Sequence, residues 1–143
     1  MAQLPVVGAS FNTWGSELNT YLLEEHQFGG DHYPRVQLRG VAYGGSVTNG
    51  DAVFFDSSTN TLQKAIADGS YRQEVIGMMR DIDNTAIVIF GITDTTSPVI
   101  AGTQYYLSDT TAGKIVPYAP SNAVKIGIGV PSDIGTALLV NIR

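Results

Sequence analysis

The chain has 143 residues, 43 % of them hydrophobic and 15 % charged, which is the composition of a globular protein rather than a disordered one. Its net charge is −5 and no run of Lys or Arg occurs, so the cationic surface that neutralises phosphates is missing, against both nucleic acid and a polybasic membrane contact. The absence of cysteine excludes disulfide frameworks, thiolate zinc sites and Cys nucleophiles.

In chain order, Leu4, Pro5, Val6 and Val7 form an apolar, extended lead-in, with Pro5 and Gly8 disfavouring a helix. Trp14, Leu18, Tyr21 and Leu22 then recur at helical spacing. Asn12 or Thr13 can cap the start, Glu17 lies near the positive end of the dipole, and Gly29-Gly30 ends the segment. The pattern predicts one amphipathic helix over about residues 13–26. A lone helix of that length is marginal in water, so its apolar stripe must dock, on this chain's own sheet or on a neighbouring subunit. The N-terminus has neither the basic region nor the apolar core of a secretion signal, and no apolar run nears the ~20 residues that span a bilayer. The chain therefore reads as a soluble cytosolic product.

From Val36 onward the pattern has period two and is rich in β-branched residues. Strands are predicted at Gln37–Tyr43, Ala52–Asp56, Leu62–Lys64, Glu74–Arg80, Ala86–Ile92, Gln104–Leu107, Lys114–Val116, Ala123–Val130 and Ala137–Ile142. The separators, among them Asn49-Gly50-Asp51, Ser57–Asn60 and Asp109–Thr111, are turn formers. Short strands at this spacing without intervening helices predict a mainly β, antiparallel sandwich or small barrel. The expected organisation is an arm and helix over residues 1–35 and a β-domain over 36–143.

The β-domain reads as two copies of one unit, about residues 45–92 and 97–142. Val47-x-x-Gly50 matches Val99-x-x-Gly102, and Phe54 matches Tyr106, both at an offset of 52. Val75–Met78 matches Lys125–Ile128 at 50, and Asp83–Ile92 matches Asp133–Ile142 at 50 or 51. The slips fall in turns, where they would leave the faces of each strand unchanged. Each copy is too small to bury a core alone, so the two are expected to pack around an internal pseudo-twofold.

No catalytic motif emerges. His26 and His32 lie among Glu24, Glu25 and Asp31, the ligand types of a divalent ion, but their spacing fits no zinc template and suits a polar helix end. The serine elbow G-x-S-x-G and the phosphate loop are both missing. Asp81, Asp83 and Asp94 fall in turns, which they stabilise. Tyr43, Phe54, Phe55, Tyr105, Tyr106 and Tyr118 could stack on sugars or bases, although sheet packing accounts for residues at such positions. No catalytic residue, metal or cofactor is expected.

The segment Leu4-Pro5, Asn12-Thr13-Trp14-Gly15 and the helix Leu18–His26 resembles the opening of tailed-bacteriophage virion proteins. The stretch "AGTQYYLSDTTAGKIVPYAP", Ala101 to Pro120, is similar to small β-modules of phage fibre, spike and decoration proteins. The resemblance implies a non-enzymatic virion structural protein, usually a homotrimer displayed on a capsid or tail, assembled in the host cytoplasm. It gives the N-terminal arm and helix an anchoring role, so that Leu4, Pro5, Val6, Val7, Trp14, Leu18, Tyr21 and Leu22 become the expected capsid or subunit contacts. The chain ends at Arg143 directly after a strand, which favours a compact capsid decoration (cement) protein binding the major capsid protein. A short tail-fibre, adaptor or fibre-base protein and a carbohydrate-binding module are the alternatives.

Overall fold

The computed structural model describes residues 35–95, 97–132 and 135–142. The predicted N-terminal arm and the helix over residues 13–26 lie outside the described residues. The first strand among the described residues begins at Arg35.

The strands are β1 (Arg35–Leu38), β2 (Ala52–Asp56), β3 (Thr61–Lys64), β4 (Gly77–Asp81), β5 (Ala86–Thr93), β6 (Gln104–Leu107), β7 (Ile115–Val116), β8 (Lys125–Ser132) and β9 (Gly135–Asn141). Their bounds follow local chemistry. The strand predicted over Gln37–Tyr43 stops at Leu38, two residues before Gly40 takes a left-handed φ of 76°. Tyr43 beyond it keeps a single bridge, to Leu62. The strand predicted from Glu74 starts only at Gly77, because Tyr71–Gln73 form a 3-10 turn whose Ser70 cap accepts from the amide of Arg72. Helix is otherwise absent among the described residues.

All nine strands join one antiparallel sheet, with path β3-β2-β4-β5-β9-β8-β6-β7 and β1 on the second edge of β5. The sheet curls as a half-barrel, so the expected mainly β, antiparallel character holds, in one continuous sheet rather than two facing ones. One face holds the main core. Ala52, Phe54, Met78 and Val88 from one half pack there with Tyr105, Leu107, Ile126, Leu138 and Val140 from the other. A smaller cluster of Val47, Val53, Leu62, Met79 and Ile87 covers the opposite face of β2, β3, β4 and β5. Burying such side chains supplies about 1.5–3 kcal/mol each.

The far ends of the path meet at a seam. The amide of Ala52 donates to the carbonyl of Gly113 at 2.8 Å, that of Gly113 to Ala65 at 2.7 Å, and that of Ala65 to Ala52 at 2.9 Å. These three bonds form a closed ring between β2, the end of β3 and the turn before β7. Asp51 lies fully buried beside it, 2.8 Å from Nζ of Lys114 and 3.4 Å from Nζ of Lys64, and accepts from both the amide and the hydroxyl of Thr48 at 2.9 Å.

Strand β5 breaks the alternation of faces. Val36 lies opposite Phe90 but Gln37 lies opposite Val88, so Ile89 has no partner on β1 and a bulge results. Val88 and Gly91 therefore both face inward, and Gly91 with its φ of 106° sits opposite Val140 of β9. β2 pairs with β4 through Ala52↔Met78 and Val53↔Gly77, and β6 pairs with β8 through Gln104↔Ile128 and Tyr105↔Gly127. At the positions that the offset of 52 aligns, the faces differ: Val53 belongs to the small cluster, whereas Tyr105 belongs to the main core. The odd residue lies inside a strand, contrary to the expectation that slips fall only in turns, and it swaps inside for outside.

Candidate contact face

The bulge builds the most distinctive surface among the described residues. Ile89 and Phe90 are neighbours in sequence and both exposed, and Val36 stands opposite Phe90. The four apolar side chains of this region are substantially exposed: Val36 at 52 %, Phe90 at 51 %, Leu38 at 42 % and Ile89 at 38 %. Single exposed apolar residues are ordinary, but an adjoining group of four on one sheet face marks a contact surface. β1 is also an edge strand, paired with β5 alone among the described strands, so its second edge offers main-chain groups next to the apolar face.

The face continues across the sheet. Asn141 of β9 lies opposite Phe90, Leu139 opposite Ile128 of β8, and Ile128 opposite Gln104 of β6. There Gln104, Lys125, Gly127, Ile128, Leu139 and Asn141 line a shallow groove of about 210 Å³. Gln104 is tied down, its Nε2 donating to the carbonyls of Gly127 at 2.5 Å and Tyr105 at 3.0 Å. An apolar half beside β1 thus grades into an amide and lysine half beside β6.

Sequence reasoning missed Phe90 and Ile89. "AIVIFGI" is a continuous apolar run, and nothing local in it says that two neighbouring residues are both exposed. That follows from pairing with β1, more than fifty residues upstream.

The residues singled out from the sequence are scattered. Leu4, Pro5, Val6, Val7, Trp14, Leu18, Tyr21 and Leu22, together with His26 and His32, lie outside the described residues. Of the aromatic set, Phe54 and Tyr105 are buried in the core. The Tyr105 hydroxyl accepts from the amide of Ile100 at 2.9 Å, and Tyr71 meets Phe54 edge-on at 5.7 Å. Tyr43 and Tyr106 are half-buried, and Phe55 and Tyr118 are exposed. Tyr105 therefore serves the core and has no free ring face for a sugar.

The turn aspartates act on their own turns. Asp81 accepts from the side-chain amide of Asn84 and from the amides of Asn84 and Asp83, bonds that hold its carboxyl below the ordinary value. Asp56 is lowered likewise by Ser58. Asp68 is brought to about 2 by Ser70 and then by Arg72, with which it forms an ion pair. Among the described residues no three His, Cys, Asp or Glu side chains group as metal ligands, and no helix is long and apolar enough to cross a membrane. Comparisons with protein-family models, with curated proteins and with solved structures returned no match.

Proposed function

We propose that the chain is a non-enzymatic virion structural protein of a tailed bacteriophage, a capsid decoration or cement protein that binds the outer capsid as an oligomer and stabilises the head. The observation that carries this reading is the outward apolar group Val36, Leu38, Ile89 and Phe90, beside the open edge of β1. Such a face suits contact with a second copy of this chain, and a homotrimer is the assembly that the N-terminal resemblance implies. Self-association multiplies weak contacts, which is how a small module gains hold on a repetitive lattice. The N-terminal residues Leu4–Val7 and Trp14–Leu22 are assigned to the capsid or to a neighbouring subunit on sequence grounds.

The β-domain is read as a duplicated four-strand unit. The strand path supports this, since β3-β2-β4-β5 is followed by its counterpart in reverse, β9-β8-β6-β7. On this reading the bulge at Ile89 belongs to the first copy alone, and the contact face is what the second copy lacks.

Electron microscopy of the parent particle tests the proposal. Many copies at local threefold positions of the head are expected. A few copies at the tail would move the chain to the fibre-base or adaptor reading, and absence from purified particles would overturn both.

A further inference from the structure

We propose that the seam between Ala52, Gly113 and Ala65 is a latch that opens when the Asp51 carboxylate loses its charge, freeing the β6–β7 hairpin from β2 and β3 while β4, β5, β9 and β8 stay paired. Three observations carry this. First, the backbone link from the hairpin to β2 and β3 is light, while β6 itself is held by β8 and by Tyr105 and Leu107 in the main core. β7 has two residues and two ladder pairs, Tyr106↔Val116 and Leu107↔Ile115. Its turn meets the first half of the sheet through isolated backbone bonds, Ala52 to Gly113, Gly113 to Ala65, and Ala67 to Ser108 at 2.9 Å.

Second, the charges that face Asp51 come from both sides of the seam. Lys64 belongs to β3, and Lys114 belongs to the hairpin. With Asp51 ionised, the carboxylate bridges the two ammonium groups. With Asp51 neutral, two cations converge on a point that no longer attracts either, one on each side of the seam, and their repulsion acts in the opening direction.

Third, the remaining ladder does not depend on this node. β8 and β9 share six paired positions from Gly127↔Val140 to Ser132↔Gly135, and β5 and β9 share four. Elements with few ladder bonds open at lower free energy than the body of a sheet, so β7 and the turn before it can leave β2 and β3 while the rest of the sheet stays paired.

Amide hydrogen exchange on the full chain decides the matter. The probes are the seam donors Ala52, Gly113 and Ala67, with Leu139 and Ile92 as references in the β9 ladder. Protection of the seam amides is expected to fall at least about tenfold in Asp51→Asn at pH 7 and about threefold or more in the wild type taken from pH 7 to pH 3, after correction for intrinsic rates, with the references unchanged within about twofold. Lys114→Gln, which removes the hairpin's half of the pair, is expected to act in the same direction and serves if Asp51→Asn does not fold. An equal fall at seam and references, meaning only global unfolding, overturns the proposal. So does a seam that stays protected in the acid arm and in whichever variants fold.

Discussion

Gly113 sits against the carboxyl group of Asp51: a Cβ at Gly113 would lie 2.9 Å from the carboxyl carbon and from Oδ1. Its φ of +81° is a second demand, because only glycine holds that conformation without strain. Gly113→Ala therefore meets backbone strain of about 1 kcal/mol and also pushes Asp51 away from Lys114. The expected loss is about 2 kcal/mol or more, read as a lowered urea midpoint. A midpoint within the error of wild type would show that this approach is not a constraint.

The pH dependence of stability should carry the mark of Asp51. Burial raises its pKa, but the hydrogen bonds from Lys114 and Thr48 outweigh burial and leave it below the ordinary carboxylate value. A depressed folded-state value means that the stabilisation is complete above the unfolded-state pKa of about 3.9 and is lost as pH falls through the folded one. Urea midpoints are thus expected to be level from pH 7 to about 5 and to fall below about 4. In Asp51→Asn the neutral-pH midpoint should be lower and the acid slope shallower. Part of the slope should persist, because Asp56, Asp68 and Asp81 are also depressed. An acid slope identical to wild type would remove Asp51 from this role.

Gly77 and Gly127 occupy corresponding places in β4 and β8, and each lies against a backbone carbonyl. A Cβ at Gly77 would lie 2.6 Å from the carbonyl oxygen of Val88, and one at Gly127 would press on that of Leu139. Backbone in the middle of a sheet cannot give way cheaply, so Gly77→Ala and Gly127→Ala should each cost about 1–3 kcal/mol, the range of overpacked core positions. Gly45, with nothing within 4 Å of its Cβ position, is the control. Gly45→Ala should stay within about 0.5 kcal/mol of wild type. Equal thermal midpoints for all three variants would contradict the close approaches.

Much of this fold is legible in the sequence, for identifiable reasons. Ala52–Asp56 and Gln104–Leu107 appear where alternation and flanking turn residues predict them, because local propensity and tertiary pairing agree there. β8 runs to Ser132 rather than Val130, carried through Pro131 by its pairing with Thr136. The bulge at Ile89 leaves no local signature, since it depends on how β1 meets β5. The node at Asp51 is invisible for the same reason: Lys114 stands 63 residues away, and "NGDA" alone reads as a turn. The predicted contact residues from Leu4 to Leu22 rest on sequence alone, whereas Val36, Leu38, Ile89 and Phe90 emerge only once the strands are paired.

Those four residues give the test of the contact face. Phe90 is half exposed and lies across from Val36, so neither side chain is committed to the core. Phe90→Ser combined with Val36→Thr keeps β-compatible residues on both strands and removes most of the exposed apolar area. Stability should change by less than about 1 kcal/mol, as for exposed positions in general. If the face joins copies of this chain, the double variant should shift mass photometry of the full chain from oligomer toward monomer, by at least tenfold in dissociation constant. Occupancy on purified particles should fall with it, because each subunit would then bind the lattice singly. Wild-type protein that is already monomeric, or a variant with unchanged mass distribution, would remove this face from the assembly.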